Sequence, residues 1–177
     1  MKHAQLSFAL LLATCMLPAQ TPELRTVAAL DLERYLGRWY EIARLPNRFQ
    51  KSCLGDVTAT YAMQADGKLS VVNRCREQDG TNKAEGAARQ VGEAKLKVRF
   101  APAWLSFLPM VWGNYWVIDL AEDYSWAVVG EPSREYFWIL SRKSRMEKGL
   151  IKQIVERAEG QGYDLSTLKR TEQAGGC

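Results

Sequence analysis

The residues able to do acid–base or covalent chemistry are few in this chain. The only histidine is His3, inside a stretch that reads as an export leader. Without an imidazole in the mature chain, Ser-His-Asp and Cys-His catalysis, histidine-ligated haem and most zinc sites are excluded. The four cysteines, Cys15, Cys53, Cys75 and Cys177, show no C-x-x-C spacing, so a zinc ribbon or thioredoxin-type centre has no support. No glycine-rich loop of the kind that cradles phosphate is present. The carboxylates Glu41, Asp56, Asp119 and Glu135 form no legible acid/base pair. These residues predict a binding protein with no cofactor, no metal site and no catalytic residue.

The leader rests on Lys2 and His3 followed by the apolar run Leu6 to Ala13, too short to span a bilayer. Residues 1–19 admit two processing routes. Leu12-Ala13-Thr14-Cys15 resembles a bacterial lipobox, which would leave Cys15 lipidated at the outer membrane. Ordinary cleavage after Ala19 would instead release a soluble periplasmic protein. Both routes place the chain in the cell envelope and permit disulfides. If Cys15 is lipidated or lost, three cysteines remain, and at most one internal disulfide forms. The formal charge of +4 in 177 residues is too small, and the basic residues too scattered, to suggest nucleic acid. The apolar share of 47% suits a single core-forming domain.

The elements that position any site are mostly strands. From Thr58 to Arg142, short alternating runs are separated by turn signals. Val57, Ala59 and Tyr61 alternate with Thr58 and Thr60, and Asp66-Gly67 is the strongest hairpin signal. Leu69, Val71 and Asn73 follow, then Asp79-Gly80, then Leu96, Val98 and Phe100. Tyr115 to Leu120, Trp126 to Val129 and Tyr136 to Leu140 complete the set, with Trp39 to Ala43 ahead of it. About eight strands result, enough to close a barrel. Ser144 to Gly160 reads as a helix: Ser144 and Glu147 form a capping box, and Met146, Leu150, Ile154 and Ala158 recur at helical spacing. Its apolar stripe predicts packing against the barrel wall.

Three segments carry a family resemblance. Tyr35-Leu36-Gly37-Arg38-Trp39-Tyr40-Glu41-Ile42-Ala43-Arg44 resembles the first conserved segment of the lipocalins. Asp123-Tyr124 lies where the second has its Asp-Tyr pair, and Phe137 to Arg142 resembles the third. The chain is similar above all to the bacterial outer-membrane lipocalins and to apolipoprotein D. The resemblance implies an all-β fold over residues 30–172: an eight-stranded antiparallel up-and-down barrel, closed at one end and open to a lipid cavity at the other, with residues 173–177 as a tail. Gly37, Trp39, Asp123, Tyr124 and Arg142 are its structural signature. Trp39 is large enough to fill a barrel floor, and Arg142 can lie over its indole face.

With Trp39 and Arg142 taken as inward, alternation turns Ala59, Tyr61, Leu69, Val71, Asn73, Val98, Phe100, Tyr115, Val117, Trp138 and Leu140 toward the interior. Such a lining suits a fatty acid, a lysophospholipid or a similar greasy ligand; a solid core is the other reading. Glu41 alternates with Trp39, so it faces a ligand head group or makes a structural salt bridge. The stretch Ala101 to Tyr115, with Trp104, Phe107 and Trp112, is unusually apolar for a connection. At a barrel mouth it would cap the cavity, touch the bilayer, pair with a second copy in a homodimer, or fold onto its own barrel. Cys53 and Cys75 flank one hairpin on the same side, within disulfide reach. The resemblance to apolipoprotein D implies another pair, Cys53 with Cys177. The expected function is lipid binding, storage or transport for envelope maintenance. A ligand-free envelope scaffold is the alternative, followed by an enzyme using Cys75 as a cavity thiol.

Overall fold

The computed structural model describes residues 22–174. The leader, both processing sites, Cys15 and Cys177 lie outside the described residues. A short helix α1 (Leu32–Tyr35) leads into eight strands: β1 (Gly37–Arg44), β2 (Gly55–Met63), β3 (Leu69–Glu77), β4 (Gly80–Gly92), β5 (Lys95–Arg99), β6 (Gly113–Leu120), β7 (Trp126–Gly130) and β8 (Phe137–Ser141). Each pairs antiparallel with its neighbour in sequence, and β1 pairs with both β2 and β8, so the sheet closes into the expected barrel. Closure leaves few strand edges unpaired. Helix α2 (Lys148–Glu159) and a two-residue strand β9 (Lys169–Arg170), paired to β1, follow.

Alternation divides the apolar residues between two cores. Inward residues including Trp39, Tyr61, Leu69, Val71, Leu96, Val117 and Val129 form one. Outward Ile42, Ala43, Ile118, Val128, Phe137 and Ile139 form the other, and α2 covers it with Ile151, Ile154 and Ala158. The helix thus lies on the wall as its stripe predicts. Its start differs from the expectation. No capping box forms at Ser144: the helix begins at Lys148, and Glu147 at the N-cap makes no side-chain cap bond. Met146 instead packs into the outer core. A cap is worth about 1 kcal/mol, less than burying a large apolar side chain.

The folded unit is also longer at both ends than the 30–172 span. Leu24 is buried, and the Val27 N–H donates to the Val117 carbonyl at 3.0 Å. At the other end, Gln173 Nε2 donates to the carbonyls of Glu41 at 2.8 Å and Val57 at 2.9 Å. The Glu172 carbonyl accepts from Asp56 N–H at 2.7 Å. Residues 171–174 therefore fill the gap where β1 and β2 diverge, rather than hanging free as a tail.

Cys53 and Cys75 form a disulfide, with Cα atoms 5.6 Å apart. It ties the β1–β2 connection to the mouth end of β3. With the cysteines 22 positions apart, it contributes ~3 kcal/mol in the chain-entropy model.

Candidate functional site

One end of the barrel is sealed. Trp39 is completely buried, and the Arg142 guanidinium lies 3.7 Å from its ring centroid. Arg142 also donates to the carbonyls of Arg34 at 2.7 Å and Arg38 at 3.0 Å. Gly37 enters β1 at φ +90°, and a Cβ there would sit 3.4 Å from the same guanidinium. Both facts favour glycine at that position. Tyr124 accepts a hydrogen bond from Asp31 N–H at 3.0 Å, and Asp123 accepts one from Ser125 N–H at 2.9 Å. The five signature residues thus meet at the closed end.

Above this floor the expected lining separates into two groups. Tyr61, Leu69, Val71, Tyr115, Val117 and Leu140 are inward but wholly buried. They pack the lower half of the barrel as a core. Ala59, Asn73, Val98 and Trp138 are only partly buried, and Phe100 is 43% exposed. These five surround a cup open to solvent at the mouth. Phe100 lies just past the end of β5, and a Cβ on Gly86 would sit 2.8 Å from its ring. The glycine is what makes room for that ring. Two surface grooves lie outside the barrel. The bigger, about 500 Å³, runs over Arg38, Thr58, Arg74 and Thr81 on the outer wall.

Two polar clusters lie inside, and alternation revealed neither. Tyr35 from α1 joins Tyr61 and Tyr115 at the base of the cup. Tyr115 Oη is 2.7 Å from Tyr35 Oη and accepts from Tyr61 Oη at 2.8 Å. Burial pushes all three phenols up, that of Tyr61 to about 12. An unfolded tyrosine ionises near pH 10, so the folded state holds protons that the unfolded state has lost. The stability from this cluster is complete below pH 10 and falls as pH rises through about 12. Burial likewise pushes the Tyr163 phenol up to about 12, so an absorbance titration at 295 nm should show four of the seven tyrosines silent until the chain unfolds. Smooth ionisation of all seven in the folded state would refute it.

The second cluster is built by a β-bulge between Glu41 and Ala43. It sends both Ile42 and Ala43 outward, toward α2, and returns Arg44 to the inside opposite Trp138. Glu41 and Arg44 then meet at 2.6 Å, with side chains only 3% and 11% exposed. Gln50 Nε2 donates to the other Glu41 oxygen at 2.6 Å, and Trp138 Nε1 donates to Gln50 Oε1 at 2.9 Å. Thr171 Oγ1 donates to Glu41 at 2.5 Å. Both Glu41 oxygens are occupied, so this carboxylate holds the mouth together rather than awaiting a ligand.

The apolar connection between β5 and β6 lies at the mouth, and its aromatic residues part ways. Trp112 is buried on the outer wall, between Arg89 at 4.5 Å and Arg99 at 5.3 Å, and donates to the Ser106 carbonyl at 2.8 Å. It is therefore not a mouth contact, because two guanidiniums offer its indole a better surface than solvent. Trp104 and Phe107 are 73% and 74% exposed. Met110, Phe100, Phe49 and Leu54, also exposed, complete an apolar rim from two mouth connections. Phe49 and Leu54 were not expected there; two isolated apolar residues in a polar stretch carry no pattern.

The sequence pattern of the family described as "Lipocalin-like domain" matches residues 30–173. Temperature-induced lipocalin-1 of Arabidopsis thaliana is 45% identical over 157 residues, covering 86% of this chain and 84% of that protein. Outer membrane lipoprotein Blc of Escherichia coli is 36% identical over 172 residues, covering 94% and 93%. Apolipoprotein D of Mus musculus is 32% identical over 155 residues, covering 81% and 77%. Among solved structures, insecticyanin from the tobacco hornworm Manduca sexta superimposes with a TM-score of 0.69 at 20% identity, covering 90% of this chain and 89% of that one. The barrel sealed by Trp39 and Arg142, the cup above it and the match across the whole domain agree: the chain belongs to the lipocalin family, whose members bind small hydrophobic ligands.

Proposed function

We propose that the barrel takes up a lipid, such as a fatty acid or lysophospholipid, and stores or carries it for maintenance of the bacterial envelope. The observation that carries this reading is the asymmetry of the interior. One end is plugged by a packed core, and the other opens through a cup whose rim is apolar. Phe49, Leu54, Phe100, Trp104, Phe107 and Met110 surround the entrance, and Trp at a water–lipid boundary is favourable. The rim therefore touches the bilayer while lipid passes. The relatives named as outer membrane lipoproteins support attachment through a lipidated Cys15. Binding rather than chemistry is favoured, because the inward sulfur of Cys75 is bonded to Cys53 and is no thiolate nucleophile.

Native mass spectrometry of the protein purified from a membrane extract tests the reading. The wild type should carry a mass increment of one lipid. The Trp104→Ser/Phe107→Ser variant should remain folded but emerge largely empty and bind liposomes weakly. An empty wild-type barrel with a protein attached would point to the scaffold instead. Unchanged loading and liposome binding in the variant would remove the rim from the mechanism.

A further inference from the structure

The interior holds more hydrogen-bonding capacity than the protein uses, and it lies at the bottom of the cup. The three hydroxyls of Tyr35, Tyr61 and Tyr115 carry three protons and share two hydrogen bonds. One O–H therefore has no acceptor among the described residues. Asn73 Oδ1 is buried and has no partner. Asn73 stands one inward position mouthward of Val71, which pairs with Tyr61. A diagonal of this kind sets the two residues about 7–8 Å apart on the same face of the sheet, within reach of long side chains. Ala59 and Ala84, directly opposite Asn73 on either side, carry only methyl side chains. A buried polar atom without a partner is costly, and natural barrels rarely keep one without a reason.

Charge decides which group fits. Among the described residues, the cation on the inner face of the wall is Arg44, which is paired with Glu41 through Nη1 while its Nε has no partner. Arg142 lies beyond Trp39, on the far side of the floor. An anionic head at the base of the cup would be buried with no free cation to compensate it. A hydroxyl has no such penalty, since it both donates and accepts. The rim argues the same way. A head group left at the mouth would lie among Phe100, Trp104, Phe107 and Met110, whereas an alkyl chain there is in like surroundings.

Resting on the lipid-binding reading, and replacing the charged head groups of the fatty acid and lysophospholipid named there, we infer that the ligand is a single-chain lipid with a neutral hydroxyl terminus. It enters polar end first, and the hydroxyl bridges Asn73 and the tyrosine cluster while the chain runs up toward the rim.

Competition against the neutral fluorophore N-phenyl-1-naphthylamine, using the whole mature chain at pH 8, tests this. The three competitors are dodecan-1-ol, dodecyl methyl ether and dodecanoate. Dodecan-1-ol should displace the probe at about five- to tenfold lower concentration than the other two, the worth of one net hydrogen bond. Asn73→Leu should reduce that advantage below about twofold, with each variant's competition read against its own probe affinity, and Asn73→Ser should restore part of it. The inference falls if dodecanoate binds as well as the alcohol, which would point to Arg44. It also falls if Asn73→Leu keeps the preference for the alcohol. If neither probe nor any competitor enters the wild-type barrel, the lipid-binding reading fails as well. Entry of all three without discrimination overturns the head-group assignment alone.

Discussion

Replacing Trp39 with alanine should cost about 3–5 kcal/mol of stability, or a fall in Tm of roughly 6–20 °C for a domain of this size. Trp39 is completely buried, donates through Nε1 to the Tyr35 carbonyl at 2.9 Å and stacks tilted against the Tyr35 ring at 4.9 Å. Removing it opens a cavity at the base of the barrel and withdraws the surface on which Arg142 rests. Arg142→Ala should follow the same direction with a smaller loss, about 1–3 kcal/mol, because its guanidinium is partly exposed and its contacts are one ring and a few carbonyls. Calorimetry of both variants checks the pair. Unchanged melting with altered ligand affinity would mean that these residues serve the ligand rather than the closed end.

Arg44→Met should be nearly as damaging, at about 3–5 kcal/mol, although it conserves volume. It leaves Glu41 charged, 3% exposed and without its cation. The loss should spread to everything that Glu41 organises: Gln50 on the β1–β2 connection, Thr171 in the C-terminal segment and, through Gln50, Trp138. The double variant Glu41→Leu/Arg44→Met should recover most of the stability, since apolar replacement of a buried pair is often neutral. Urea unfolding with unchanged m-values measures this as a double-mutant cycle. A double variant as unstable as the single one would show that the pair is needed for more than its charge. In such a variant the mouth should also become accessible to proteolysis, because the connection and the C-terminal segment lose a common anchor.

These two predictions differ in how visible their residues were. The closed end could be read from the chain. Gly37, Trp39 and Arg142 are a dense, ordered set of residue types, each with one physical use at a barrel floor. Alternation of period two is a local property of a strand, so it correctly turned Val71 and Val117 inward. For the same reason it turned Glu41 inward but failed at Arg44. Three positions apart, they belong on opposite faces of a regular strand, and only the bulge brings them together. A bulge is fixed by how β1 meets β8, with β2 and β9 on its other edge, and no run of residues in β1 announces it.

The cup shows the same division. The sequence by itself determined that the chain makes a closed barrel with a helix on its wall. Residue pattern dictates which face is apolar, and the number of such strands sets closure. It also determined that imidazole chemistry is absent from the folded domain. Only the tertiary structure decided how deep the interior stays open, because that depends on side-chain volume summed across eight strands. Six inward residues proved to fill the lower half, leaving Ala59, Asn73, Val98, Phe100 and Trp138 around the opening. Tertiary contact likewise placed Trp112 between Arg89 and Arg99 while leaving Trp104 and Phe107 at the mouth. It set Tyr35 from outside the strands against Tyr115, 80 residues away, so the polar base of the cup exists only when the barrel closes. Local pattern chooses a face for each residue, and long-range packing chooses its partners.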